Sequence, residues 1–218
     1  MRYSAFEPGD IAACYGTDPV SRVIRCWTGS RLLPTALRMR PSHVAMLCPY
    51  NGERVWVEST SRRPHECLVR GETVSGCQVQ PPRLRIADYV HAGGHVDLYR
   101  INPFYRLRDG EADELAGWLI DYFVRAGAGY DTRGAVLSGT RVYQLSQLFP
   151  VADLETVFCS ELIAAVLMRL NRINHTNPAR YNPARLMRQI VRDGLYQFHK
   201  RYSRQSLANV RLARRNAA

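Results

Sequence analysis

Two β-prone runs, Ser42 to Cys48 and Arg54 to Thr60, flank Pro49-Tyr50-Asn51-Gly52-Glu53, and Asn-Gly between such runs predicts a hairpin. Upstream, Pro8-Gly9-Asp10 forms a turn into a strand over 11–15, and a short helix is predicted over 21–28. Shorter runs predict strands at 66–70, 77–80 and 95–101, with Pro81-Pro82 as a separator. The period then changes. Leu115, Trp118, Leu119, Tyr122 and Phe123 recur at helical spacing within 111–126, acids stand at its start, and Gly127 and Gly129 stop it. Further helices are predicted within 135–148, over 156–170 and from Ala184 onward. Strands gathered early and helices late give an α+β fold, an antiparallel sheet packed against helices. The chain divides into a main domain, 1–182, and a basic C-terminal helix and tail, 183–218.

Composition adds bounds. The chain has 218 residues, 46% of them hydrophobic and 22% charged, enough for one substantial core rather than a disordered chain. No apolar run approaches a membrane span, and the first ten residues lack the apolar centre of a signal peptide. A cytoplasmic or virion-associated location is therefore expected. The six cysteines show no CxxC pair and no zinc-ligand spacing, so reduced thiols are expected, five of them as ordinary core residues. No metal or organic cofactor is implied.

The net charge is +11, and Lys200 is the only lysine. From Arg185 to Arg215 the tail carries nine cations against Asp193 alone. Such a segment suits an anionic partner: nucleic acid, an anionic membrane or an acidic protein. A solvated helix face with a frayed end explains it equally well.

The candidate chemistry lies in Phe158-Cys159-Ser160-Glu161-Leu162 and Ser42-His43-Val44-Ala45. With Thr156 as N-cap, Cys159 falls in the first turn of a helix, where free backbone N–H groups and the helix dipole favour a thiolate. Leu162, Ile163, Val166 and Leu170 would anchor that helix in the core. A hairpin loop of two or four residues puts Glu58 on the sheet face of His43, where a carboxylate orients an imidazole. An odd loop would bring Ser59 there instead. Taken singly, each residue has an ordinary structural explanation; together they suggest a nucleophile, a base and an orienting acid.

In order along the chain, Pro8-Gly9-Asp10-Ile11, Ser42-His43-Val44-Ala45, Val57-Glu58-Ser59, Gly129-Tyr130-Asp131 and Phe158-Cys159-Ser160-Glu161-Leu162 resemble the circularly permuted papain-like amidohydrolases. These are the YiiX-like relatives of the NlpC-type cell-wall peptidases and of lecithin:retinol acyltransferase. The resemblance covers about residues 8 to 170, and its motifs are specific only as an ordered set. It implies a permuted papain-like fold, Cys159 as nucleophile, His43 as base and Glu58 as the orienting residue. It also suggests that the Tyr130 hydroxyl helps to bind an oxyanion, against a plainer role as a packed turn aromatic. Asp10 and Asp131 read as turn carboxylates, and His65, His91, His95 and His175 show no partner pattern.

The implied activity is a cysteine hydrolase (peptidase or amidase) that cleaves an amide or ester in a peptide, peptidoglycan or lipid-linked substrate. Two other readings stay open. One is a non-catalytic virion, nucleic-acid-associated or membrane-associated binding protein on the same fold. The other is a lipid acyltransferase, although that branch places a second histidine where Glu58 stands.

Overall fold

The computed structural model describes residues 6–28, 38–62, 65–130 and 157–206. Six antiparallel strands form one sheet in the order β4-β3-β2-β1-β5-β6. They are β1 (Ile11–Tyr15), β2 (His43–Tyr50), β3 (Glu53–Thr60), β4 (Gly76–Gln80), β5 (His95–Ile101) and β6 (Tyr196–Tyr202). The helices are α1 (Pro19–Thr28), α2 (Pro82–His91), α3 (Glu111–Ala116), α4 (Cys159–Arg169) and α5 (Pro183–Arg192). The α+β architecture expected from the sequence is present.

The β2–β3 hairpin closes through a two-residue turn, because Tyr50 pairs with Glu53. Asn51 (φ 49°) and Gly52 (φ 79°) both take positive φ, as the preferred two-residue hairpin turn requires. This even loop sets the parity of both strands. Val44, Met46 and Val57 face one side of the sheet, while Ala45, Leu47 and Trp56 face the other.

A separate cluster covers each face. On one, α4 and α5 bring Leu162, Ile163, Val166, Leu186, Met187 and Ile190 against Ile11, Val44, Met46 and Val57. On the other, Ile86 and Val90 of α2 pack on Ala12, Ala45, Leu47, Trp56 and Leu98. A fully buried Leu or Ile side chain contributes about 1.5–3 kcal/mol, so each helix is held mainly by this burial.

Several expectations need correction. Residues 66–70 form a turn rather than a strand, joined to β4 through a bond from the Leu68 N–H to the Val79 carbonyl. The double proline at 81–82 does not only separate elements. It starts α2, because proline at the first helical position gives up an N–H that has no intrahelical partner anyway. Beyond Ala116, α3 continues as nine residues of wide π-type helix, Gly117–Arg125. The wider turn buries Leu115, Leu119, Ile120, Phe123 and Val124, and leaves Tyr122 exposed. Trp118 sits at the margin with Arg169 over its ring, 4.8 Å from the centroid.

Residues 183–202 are no appendage. Helix α5 belongs to the main core, and β6 adds the edge strand next to β5. Burial explains this: Tyr196 is 2% exposed and donates its hydroxyl to the Gly9 carbonyl at 2.9 Å. Much of the described basic charge is engaged in contacts within the chain. Arg201 grips Asp97 through two bonds of 2.6 and 2.7 Å, Arg188 donates to the Thr28 carbonyl, and Arg204 donates to the carbonyls of Val90 and His91. Arg211, Arg214 and Arg215 lie outside the described residues, as do the helix expected within 135–148, Asp131 and Thr156. No helix among the described residues is long and apolar enough to cross a membrane.

Strand β4 begins at a point of close approach. Gly76 has φ +118°, and a Cβ there would stand 2.3 Å from the Ala128 carbonyl oxygen. Cys77 N–H donates to that same carbonyl. The Gly76→Ala protein is expected to lose about 1–3 kcal/mol through backbone strain alone, read as a lower urea midpoint at unchanged m. A midpoint equal to that of the parent would show that this junction yields.

Candidate active site

His43 opens β2, and its side chain lies on the face covered by α2. The even hairpin loop places Glu58 on that face too, diagonally across β3 from His43. The imidazole Nε2 and Glu58 Oε2 are 2.8 Å apart, with the Glu58 side chain fully buried. Nδ1 is therefore the ring nitrogen left for another partner. The Cys159 thiol lies close enough to the imidazole to act on its charge.

Cys159 arrives from the opposite side of the sheet. It is the first residue of α4, whose other side chains pack on the Val44–Met46 face. Thiol and imidazole thus meet where β2 begins and α4 begins. The helix starts later than the sequence suggested. Phe158, extended at φ −95° and ψ 167°, is the residue before the first turn, and Cys159 is the first helical residue. The intrahelical ladder opens with the Glu161 and Leu162 N–H groups donating to the Phe158 carbonyl. The Cys159 and Ser160 amides precede it, as the first amides of any helix do. Glu161 turns back to accept from the Phe158 N–H at 3.4 Å, and Ser160 Oγ donates to the Tyr181 carbonyl at 2.7 Å. These contacts fix the thiol's position from below.

Glu58 is held from behind by residues that sequence reasoning missed. Arg85 of α2, with its side chain only 4% exposed, donates from Nε to Glu58 Oε1 at 2.7 Å. Gln78 Nε2 approaches the same oxygen at 3.4 Å, and Arg85 Nη1 reaches Asp88 Oδ2 at 2.7 Å. Asp88 also partners His65 at 2.9 Å, so His65 does have a partner, contrary to its lack of a sequence pattern. Tyr89 stacks over His43, with 6.4 Å between ring centroids. A polar chain therefore runs Cys159–His43–Glu58–Arg85–Asp88–His65. The proline-started helix after β4 was the one signal that could have revealed its second half.

Charge states follow from these contacts. Burial favours the ionised form of neither His43 nor Glu58, yet both are driven to it. For His43, burial lowers the pKa, but the neighbouring Cys159 and the Glu58 carboxylate more than offset this and raise it to about 9. For Glu58, burial raises the pKa, but Arg85 and His43 hold it well below the usual carboxylate range. The structural cysteines behave in the opposite way: burial pushes the Cys48 and Cys77 thiols up to about 12. All six cysteines are free thiols, and Cys26 is exposed rather than in the core.

Tyr130 is half-buried. The residue before it, Gly129, accepts a bond from the Val157 N–H at 3.0 Å, so the 128–130 segment runs beside the approach to Cys159. Ser59 points to the other face, donating to the Val157 carbonyl at 2.5 Å. Asp10 is the turn carboxylate expected, accepting from the Glu7 N–H and pairing with Arg100. His95 stacks on Tyr15 at 4.3 Å, and His175 contacts Asn171.

The fold is an α+β arrangement of a six-stranded antiparallel sheet with helices. No protein-family profile matches the chain, and no curated protein matches it. Among solved structures it is similar to that of metalloprotein YiiX from Escherichia coli O157:H7, with a TM-score of 0.51 over 90% of this chain and 98% of that one, at 14% identity. Similarity at that identity speaks for the fold, and the chemistry rests on this chain's own residues.

YiiX is described as a metalloprotein. Here, among the described residues, no three His, Cys, Asp or Glu side chains converge as a ligand set. The cluster around His43 does not fit a metal. Glu58 presents its oxygens to His43, Arg85 and Gln78, and a buried guanidinium beside it disfavours a second cation.

Proposed function

We propose that this protein is a cysteine hydrolase of the permuted papain-like kind, cleaving an amide or ester through an acyl-enzyme on Cys159. The observation that carries this reading is the buried Glu58–His43 contact of 2.8 Å, with the Cys159 thiol near enough to the imidazole to raise its pKa. His43 takes the thiol proton, and the sulfur attacks the substrate carbonyl carbon. The carbonyl π pair moves to oxygen, where the first amides of α4 supply donors and the helix dipole a favourable field. The Tyr130 hydroxyl is the auxiliary donor in this reading. Collapse expels the amine or alcohol, which leaves with the proton from His43. Water, deprotonated by the same imidazole, then releases the acid and restores the thiol. Glu58 keeps its charge throughout and stabilises the imidazolium. Peptide, peptidoglycan and lipid-linked acyl groups are the substrate classes of this reading.

Alkylation tests the nucleophile. At pH 6.5, iodoacetamide is expected to modify Cys159 faster than the exposed Cys26, and faster than the buried Cys48 and Cys77, read by peptide mass spectrometry. His43→Ala should remove that advantage. If Cys159 reacts no faster than the core thiols, or if His43→Ala leaves its rate unchanged, the thiol is structural.

The pH profile supplies an independent check. His43 is protonated in the thiolate–imidazolium pair up to its pKa of about 9, so kcat/KM is expected to fall along an alkaline limb centred there. Glu58→Gln removes the carboxylate that helps to raise that pKa and should move the limb downward. The same raised pKa contributes stability that is complete below the ordinary histidine value of 6.5 and is lost as pH rises through about 9. The depressed Glu58 adds stability present above the ordinary value of 4.5 and lost as pH falls below it. The melting temperature should therefore peak between about pH 4.5 and 6.5 with respect to this pair.

A further inference from the structure

On the α2 side of the sheet lies a cavity of about 220 Å³, lined in part by Arg85, which holds Glu58. It is walled by the loop after β1 (Thr17, Asp18), by Arg62 beyond β3, and by Arg85, Asp88 and Tyr89 of α2. Tyr89 both lines this cavity and stacks on His43. The cavity is small for a drug-sized ligand and suits a compact polar group.

Its charges come in pairs. Arg62 and Asp18 form an ion pair of 2.8 Å at the mouth, with side chains 55% and 27% exposed. Deeper, Arg85 spends Nε on Glu58 and Nη1 on Asp88, and Nη2 has no acceptor among the described residues. This is a nearly buried guanidinium with an unused edge, lining an open space.

We infer that this cavity is a substrate subsite for a compact α-amino-acid head, an ammonium and a carboxylate on one carbon, attached through its side chain to the group being cleaved. A simple anion would meet Arg62 and Arg85 but would leave Asp18 and Asp88 facing a like charge. A simple cation would meet the reverse. A zwitterion satisfies both signs. Its carboxylate takes Arg62 and the free edge of Arg85, and its ammonium takes Asp18 and Asp88. The Arg62–Asp18 pair, being solvent-exposed, opens at little cost and exchanges for two pairs with the ligand in a less hydrated setting. The link to catalysis rests on the hydrolase reading; the binding does not.

The test uses the full chain carrying Cys159→Ala, so it needs no turnover. Titration calorimetry compares Nε-acetyl-lysine with its Nα-acetyl derivative, which is an anion only, and with Nε-acetyl-lysinamide, a cation only. Glycerophosphoserine presents the same head from a lipid source. At least one zwitterion is expected to bind ten times or more tightly than either capped form, and the tighter of the two identifies the source. Arg62→Gln and Asp18→Asn, at the exposed mouth, should each weaken that binding at least tenfold at an unchanged melting temperature. Equal affinity for the capped anion, no saturable binding of any probe, or insensitivity to both mouth variants would each overturn the subsite. Failure of hydrolysis alongside intact zwitterion binding would count against the catalytic reading alone.

Discussion

Cys159→Ala is expected to lower kcat/KM on a small activated ester by about 10³-fold or more, with the circular dichroism spectrum and melting temperature retained. The size follows from the role. Without the sulfur no acyl-enzyme forms, and the first amides of α4 are left to polarise a carbonyl for an unactivated water. The fold should tolerate the change because the truncation removes one atom at the head of a helix whose ten residues from Cys159 to Met168 are buried. His43→Ala should cost a similar factor. The double variant should cost little more than either single one, since the thiol and imidazole act as one unit. An additive double variant, or a Cys159→Ala protein with full turnover, would remove the mechanism.

Arg85→Leu is expected to cost about 3–5 kcal/mol, because it leaves the Glu58 carboxylate buried beside a missing guanidinium. For a chain of this size that is a fall in melting temperature of roughly 6–20 °C. Both partners are almost wholly buried, so solvent does not screen the loss. The double variant Arg85→Leu with Glu58→Leu should recover stability while turnover stays impaired, since it removes the unpaired charge but not the need for an orienting carboxylate. This separation of stability from turnover distinguishes a positioning pair from a merely structural one. If Arg85→Leu melts within a degree of the parent, Glu58 draws its charge stabilisation from elsewhere.

Parts of the site were readable because they depend on short stretches of chain. Asn51-Gly52 predicts the hairpin; its two-residue turn then sets the parity, and parity puts Glu58 on the face of His43. A periodic apolar run after Phe158 likewise marks a helix that begins near Cys159. The first helical residue was misread because Thr156 is a good capping residue by type, whereas the described helix has Phe158 in that place with Glu161 folded back onto its N–H. The π-type continuation of α3 was not readable, because the four-residue spacing of Leu115, Leu119 and Phe123 suits an ordinary α-helix as well. Strand β6 was hidden by its polar outer positions. What makes it a strand is the partner β5, the Arg201–Asp97 pair and the Tyr196 anchor, all contributed from about a hundred or more residues away in sequence.

The sequence by itself determined the class of fold, the existence of the hairpin and a helix that begins near Cys159, because backbone conformation and side-chain alternation are set within a few residues; the parity of the hairpin and the first helical residue were decided by the structure. It could not decide which face each helix covers. Only the tertiary structure brings Cys159 from one side of the sheet to His43 on the other, seats Arg85 behind Glu58, and opens a cavity between the β1 loop and α2. Those relations arise from burying two different apolar faces at once, and that is a property of the packed sheet rather than of any segment in it.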